Sequence, residues 1–102
     1  MKFEIISELN IFQFPQLPSQ IFYIVEHKSH KVFGEESWNR DIARELKIPE
    51  ADLKSHLFYD FNGWSPDGPF GYYPRVYFRT RRDAENALAW IESIQLMAQL
   101  WD

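Results

Sequence analysis

The densest chemistry in the chain lies between Tyr73 and Arg82, where four arginines are interleaved with two tyrosines. Tyr73, Arg75, Tyr77 and Arg79 share one parity, and Val76 and Phe78 occupy the other. In an extended segment successive side chains alternate, so the first set would line one face and the apolar pair the opposite one. Arg81 and Arg82 then enter what reads as the first turn of a helix. Free backbone N–H groups and the positive end of the helix dipole favour an anion there. A guanidinium fork can hold a phosphate or a carboxylate with two parallel bonds. If any surface takes an anionic group or partner, it is expected to be Tyr73, Arg75, Tyr77, Arg79, Arg81 and Arg82. The plainer reading pairs these arginines with acids, either Glu85, one helical turn from Arg81, or a distant carboxylate.

Other reactive residue types form no recognisable constellation. His27 and His30 are three apart, but in a segment that reads as a strand end or turn, where their side chains diverge. No metal is expected from that spacing. The chain has no cysteine, which removes thiolate ligands, thiol nucleophiles and disulfides together. There is no glycine-rich phosphate loop, nucleophile elbow or zinc-protease pattern. Neither a cofactor nor enzymatic activity is expected.

At 102 residues the chain reads as one domain, 1–102, with 45% apolar and 18% aromatic residues to build a core. Net charge is −4, which weighs against general affinity for nucleic acid. The arginine cluster is a local exception in an otherwise strongly acidic chain. The first residues carry charges where a signal peptide needs an apolar run, and no apolar stretch approaches the ~20 residues needed to span a bilayer. The expected compartment is the cytoplasm, with no membrane partner.

The elements that would position these residues follow from periodicity. Phe3, Ile5 and Ile6 suggest a first strand, continued loosely until Pro15 and Pro18 break it. Ile21 to Val25 is an uninterrupted apolar run, which suits a central strand buried on both faces. Val32-Phe33-Gly34 reads as a short return or turn. Ser37 is a plausible N-cap for a helix from Trp38 to Leu46, and Pro49 can open a second from Glu50 to about Tyr59. Asp60 to Gly71 reads as a loop, yet it holds Phe61, Trp64 and Phe70. A strand from Tyr73 to Thr80 leads into the last helix, capped by Thr80 with Asp83 three residues on. Ala84, Ala87, Leu88, Ile91, Ile94, Ala98 and Trp101 recur at helical spacing. Trp90, Met97 and Trp101 form a flanking apolar stripe, expected to support self-association unless the aromatic loop folds over it. The fold class is α+β: a small antiparallel sheet of three or more strands, covered by a long C-terminal helix, with a helical pair inserted before the last strand.

Two stretches resemble known families locally. Residues 39–57, with the Ile42-Ala43 pair, the Leu46-Lys47-Ile48 turn and Leu53-Lys54-Ser55-His56, resemble the helix-turn-helix of response-regulator-type transcription factors. The resemblance implies that Lys54, Ser55 and His56 would face a DNA major groove. Lys47 stands where that family has glycine, and Asp52 would face phosphates. Read from the residues alone, the stretch is two packed helices joined by a tight turn. Val76 to Leu88 resembles the third-strand-to-second-helix passage of RNA recognition motifs, with Tyr73 and Phe78 at aromatic positions. A strand followed by Asp-Ala-x-x-Ala-Leu also serves unrelated α+β domains.

The expectation is therefore a small non-catalytic binding or regulatory protein that acts through a macromolecular partner, a protein or a second copy of itself. The competing expectation is a nucleic-acid binder using the Tyr/Arg face or the helical pair.

Overall fold

β2 (Gln20–Glu26) carries a separate apolar core on each of its faces. A computed structural model describes residues 2–30, 32, 33, 36–69 and 75–101, with 36–39 and 101 described by backbone alone. Ile21, Phe22, Tyr23, Ile24 and Val25 are all buried, as a continuous apolar run demands when neither face of a strand meets water. β1 (Phe3–Leu9) pairs antiparallel with β2, from Phe3 opposite Glu26 to Leu9 opposite Gln20.

The other edge of β2 is met by two short segments rather than by a full strand. Phe22 and Phe78 exchange both backbone bonds, at 3.1 and 2.7 Å. The Phe33 amide donates to the Ile24 carbonyl, and the Val76 amide donates to the Phe33 carbonyl, each at 3.0 Å. Tyr77 in turn exchanges backbone bonds with Trp64. The regular ladder among the described residues is thus two-stranded, where three or more strands were expected. The chain leaves the sheet at Arg79 to start a helix, so these contacts remain single bridges.

Among the described residues three α-helices follow: α1 (Glu36–Leu46), α2 (Glu50–Ser55) and α3 (Arg81–Trp101). α1 begins two residues before Trp38, so Ser37 lies in its first turn rather than ahead of it. α2 gives way to a π turn over His56–Asp60, closed by the Phe61 amide on the His56 carbonyl at 3.2 Å. The segment expected as one helix to Tyr59 therefore widens halfway. α3 opens as its sequence implies, with the Asp83 amide donating to Thr80 Oγ1 at 3.1 Å.

One core lies between the sheet and the helices. Phe3, Phe22, Ile24, Phe33 and Phe78 meet Ile42, Leu46, Leu53 and Leu57, with Ala84, Ala87 and Ile91 from α3. The small alanines let α3 approach the sheet closely. The second core lies on the opposite face, where Ile21, Tyr23, Val25, Val32 and Tyr77 are covered by Leu17, Phe14 and Trp64. Asn10 holds that cover in place. Its amide nitrogen donates to the carbonyls of Phe14 and Leu17, at 3.0 and 3.3 Å, and its side-chain oxygen accepts from the Phe14 amide at 3.1 Å.

The turn between α1 and α2 has a specific geometry. Lys47 adopts a left-handed φ of 61°. The Ile48 amide donates to the Ala43 carbonyl and the Lys47 amide to the Arg44 carbonyl, which is the Schellman pattern that ends helices. Glycine suits this position because a Cβ is crowded in the left-handed region. Lys47→Gly is expected to stabilise the protein by about 1 kcal/mol, read as a higher urea midpoint at an unchanged slope. A lower midpoint would mean that contacts of the lysine side chain outweigh its backbone strain.

Candidate functional site

The structure divides the expected arginine face. The alternation itself holds, with Val76 and Phe78 in the helical core and Tyr77 on the other side. That other side is covered, however, and Tyr77 is 1% exposed. Its ring lies 6.1 Å from both the Phe14 and Tyr23 rings. Period-2 patterning says which side a residue takes but not whether another segment roofs that side, and here the 10–19 loop and Trp64 do.

Arg75 belongs to this covered region. Its Nη1 donates to Glu8 Oε1 at 3.2 Å, and its guanidinium carbon lies 4.9 Å from the Tyr23 ring centroid. Burial opposes the Arg75 charge, but Tyr77, Tyr23 and Glu8 together hold its pKa above the usual value. Burial, reinforced by the Glu8 carboxylate, pushes the Tyr23 phenol up as well. Arg75 thus ties the last extended segment to β1 and β2. Tyr73 lies outside the described residues. Arg79, Arg81 and Arg82 remain exposed. Arg79 Nε donates to the Gln16 carbonyl at 3.2 Å, and Arg81 lies 5.3 Å from the Phe22 ring centroid. Among the described residues, the exposed part of the expected surface is three guanidiniums near the start of α3, two of them with local partners.

The histidines are dispersed. His27 Nδ1 lies 3.7 Å from Glu4 Oε2. His30 sits in a turn wound around Glu26, whose Oε2 accepts the Lys28 and Ser29 amides at 2.6 Å and the Ser29 hydroxyl at 3.0 Å. The Ser29 amide, aided by that hydroxyl and the Lys28 amide, holds the Glu26 carboxyl below its usual range. His56 pairs with Asp60 across the π turn, and its ring lies 4.9 Å from that of Trp90. Among the described residues, no group of three or more metal-ligating side chains comes together. No helix of the described chain is long and apolar enough to cross a membrane.

The expected self-association stripe is also divided. Trp90 is half-buried, flanked by His56 and by Phe61, whose ring is 5.5 Å away. Of the aromatic loop, Phe61 packs on the helix here, Trp64 joins the second core, and Phe70 lies outside the described residues. Met97 is 56% exposed. The Trp101 side chain lies outside the described residues.

What periodicity did not reveal is a groove. Leu46, Lys47 and Ile48 face Ile94, Met97 and Ala98 across an opening of about 370 Å³, lined almost entirely by apolar atoms. It exists because the α1–α2 turn is tight and because Ala98 has no side chain long enough to fill the space between turn and helix. Leu46, Ile94 and Ala98 lie on the inner stripes that helical spacing predicts, and an alanine at 98 is no more a signal than those at 84 and 87, which pack closely on the sheet. A second recess of about 320 Å³ lies beside Phe58, Tyr59, Trp64 and Pro66, with more polar walls. Leu9, Ile11 and Phe12 form a separate exposed apolar patch at the end of β1.

No family model matches the chain, and neither a curated protein nor a solved structure matches it.

Proposed function

We propose that the protein is a small non-catalytic binding or regulatory protein, and that it receives apolar side chains of a partner protein in the groove between the α1–α2 turn and α3. The observation that carries this reading is the groove itself, about 370 Å³ in volume and walled by Leu46, Ile48, Ile94, Met97 and Ala98. A leucine truncated to alanine leaves a cavity of about 150 Å³, so the groove has room for about two leucine-sized side chains. An amphipathic helix presents such residues one turn apart. The nucleic-acid reading by the Tyr/Arg face has less support, because Tyr77, one of its two tyrosines, is buried in the second core.

The test fills the groove without charging it. Ala98→Leu keeps an apolar, helix-favouring residue and occupies the space of one guest side chain. The wild-type protein, immobilised, is expected to retain a host protein that protects the backbone amides of residues 46–48 and 94–98 from hydrogen exchange. Ala98→Leu is expected to keep the wild-type melting temperature and to weaken that binding at least tenfold. Equal retention by both proteins, or protection confined to other segments, would overturn the reading.

A further inference from the structure

The outer face of α3, opposite the sheet, carries a second pattern. Ala84, Ala87 and Ile91 face the core and are fully buried. Ala89, Ser93, Leu96 and Leu100 lie on the other side at spacings of four, three and four, the repeat of a helix-pairing seam. All four are exposed, Leu96 at 58% and Leu100 at 78%. From Ser93 to Trp101 the sequence holds no charged residue, and the last turn of α3 lacks the basic side chain that would complement its dipole. A solvated helix face ordinarily carries charge, and Leu96 and Leu100 instead leave apolar side chains exposed one turn apart on this one.

We infer that this face pairs antiparallel with the same face of a second copy of the chain. The size order of the seam selects the occupant. Its first half is small, Ala89 and Ser93, and its second half is large, Leu96 and Leu100. An antiparallel copy centred between Ile94 and Gln95 sets Leu100 against Ala89 and Leu96 against Ser93, twice over by symmetry. Large residues then meet small ones throughout, and both copies use the same patch, as a closed two-fold dimer requires. A parallel copy would set leucine against leucine and leave a gap at the alanines. Ser93 is prepared for burial, because its hydroxyl already donates to the Trp90 carbonyl at 2.8 Å and would leave no unmet polar group. The shared length is about four turns, which places the interface at the small end of specific ones and its dissociation constant on the order of 10 μM. This surface is distinct from the groove, and either can exist without the other.

The test combines mass with geometry. Sedimentation equilibrium of the full chain between about 1 and 300 μM is expected to show a monomer passing to a dimer. Leu96→Glu combined with Leu100→Glu is expected to stay monomeric throughout, with an unchanged circular dichroism spectrum. Both positions are exposed, so folding does not depend on them. The chain has no cysteine of its own, so single substitutions report orientation cleanly. In the antiparallel dimer two Ala89→Cys chains hold their thiols about 16 Å apart along the axis, as do two Leu100→Cys chains, at a rise of about 1.5 Å per residue. Neither variant is then expected to cross-link with itself under mild oxidation, whereas a mixture of the two is expected to form the mixed disulfide. A wild-type monomer at every concentration would overturn the inference. So would a glutamate variant that dimerises like wild type, or self-linked disulfides forming as fast as mixed ones.

Discussion

Phe33→Ala is expected to cost about 3–5 kcal/mol, the range for truncating a fully buried phenylalanine. Phe33 is 0% exposed, and its ring centroid lies 5.5 Å from that of Phe3. Its backbone also joins β2 to the last extended segment, through Ile24 on one side and Val76 on the other. Losing the ring therefore opens a cavity where the sheet depends on single bridges. A small domain has about 5–15 kcal/mol of total stability, so this one change removes a large share of it. Urea unfolding followed by fluorescence of the four tryptophans provides the measurement. A cost below about 1 kcal/mol would show that the core repacks around the missing ring.

Gly63→Ala is expected to cost about 2–3 kcal/mol through overpacking. A Cβ built at Gly63 would lie 2.6 Å from the Leu57 carbonyl oxygen and 2.7 Å from Val76 Cγ1. The first neighbour is backbone and is itself engaged, because the Gly63 amide donates to it at 2.9 Å. It cannot swing aside as the tip of a long side chain would. The alanine must therefore break that bond or push the π turn away from the 75–78 segment. Gly68 is the control. It has a φ of 80°, and no heavy atom lies within 4 Å of its added Cβ, so Gly68→Ala meets backbone strain alone and is expected to cost about 1 kcal/mol. Equal costs at the two positions would show that the crowding at Gly63 relaxes freely.

These two positions also mark where local reading of the chain stops. The loop character of residues 60–69 was legible from its glycines and prolines, but the reason for Gly63 lies in Leu57 and Val76, which only folding brings to it. Val32-Phe33-Gly34 read as a short return or turn, and Val32 and Phe33 do return to β2, but one aromatic between a valine and a glycine has no period that marks Phe33 as core. It is a core residue because β2 offers a carbonyl at Ile24 and an apolar face beside it. At the α1–α2 turn the sequence shows only a lysine, and the fold holds it in the left-handed φ that glycine takes without strain.

Elements whose signal repeats within their own length were readable before folding. The buried stripe of α3 follows from helical spacing, its Thr80 cap from local residue type, and the two-sided burial of β2 from an unbroken apolar run, and together they give the α+β class. The fate of the arginine face did not follow, since the cover over Tyr77 comes from Phe14 and Leu17, distant in sequence and held by Asn10, and from Trp64. The groove did not follow either. It is the space left between a turn at Lys47 and a helix at Ala98, and empty space between distant elements leaves no periodic trace in either one. Parity and pitch assign a side chain to a face, and only the packing of remote segments settles whether that face meets water, a second core or a cleft.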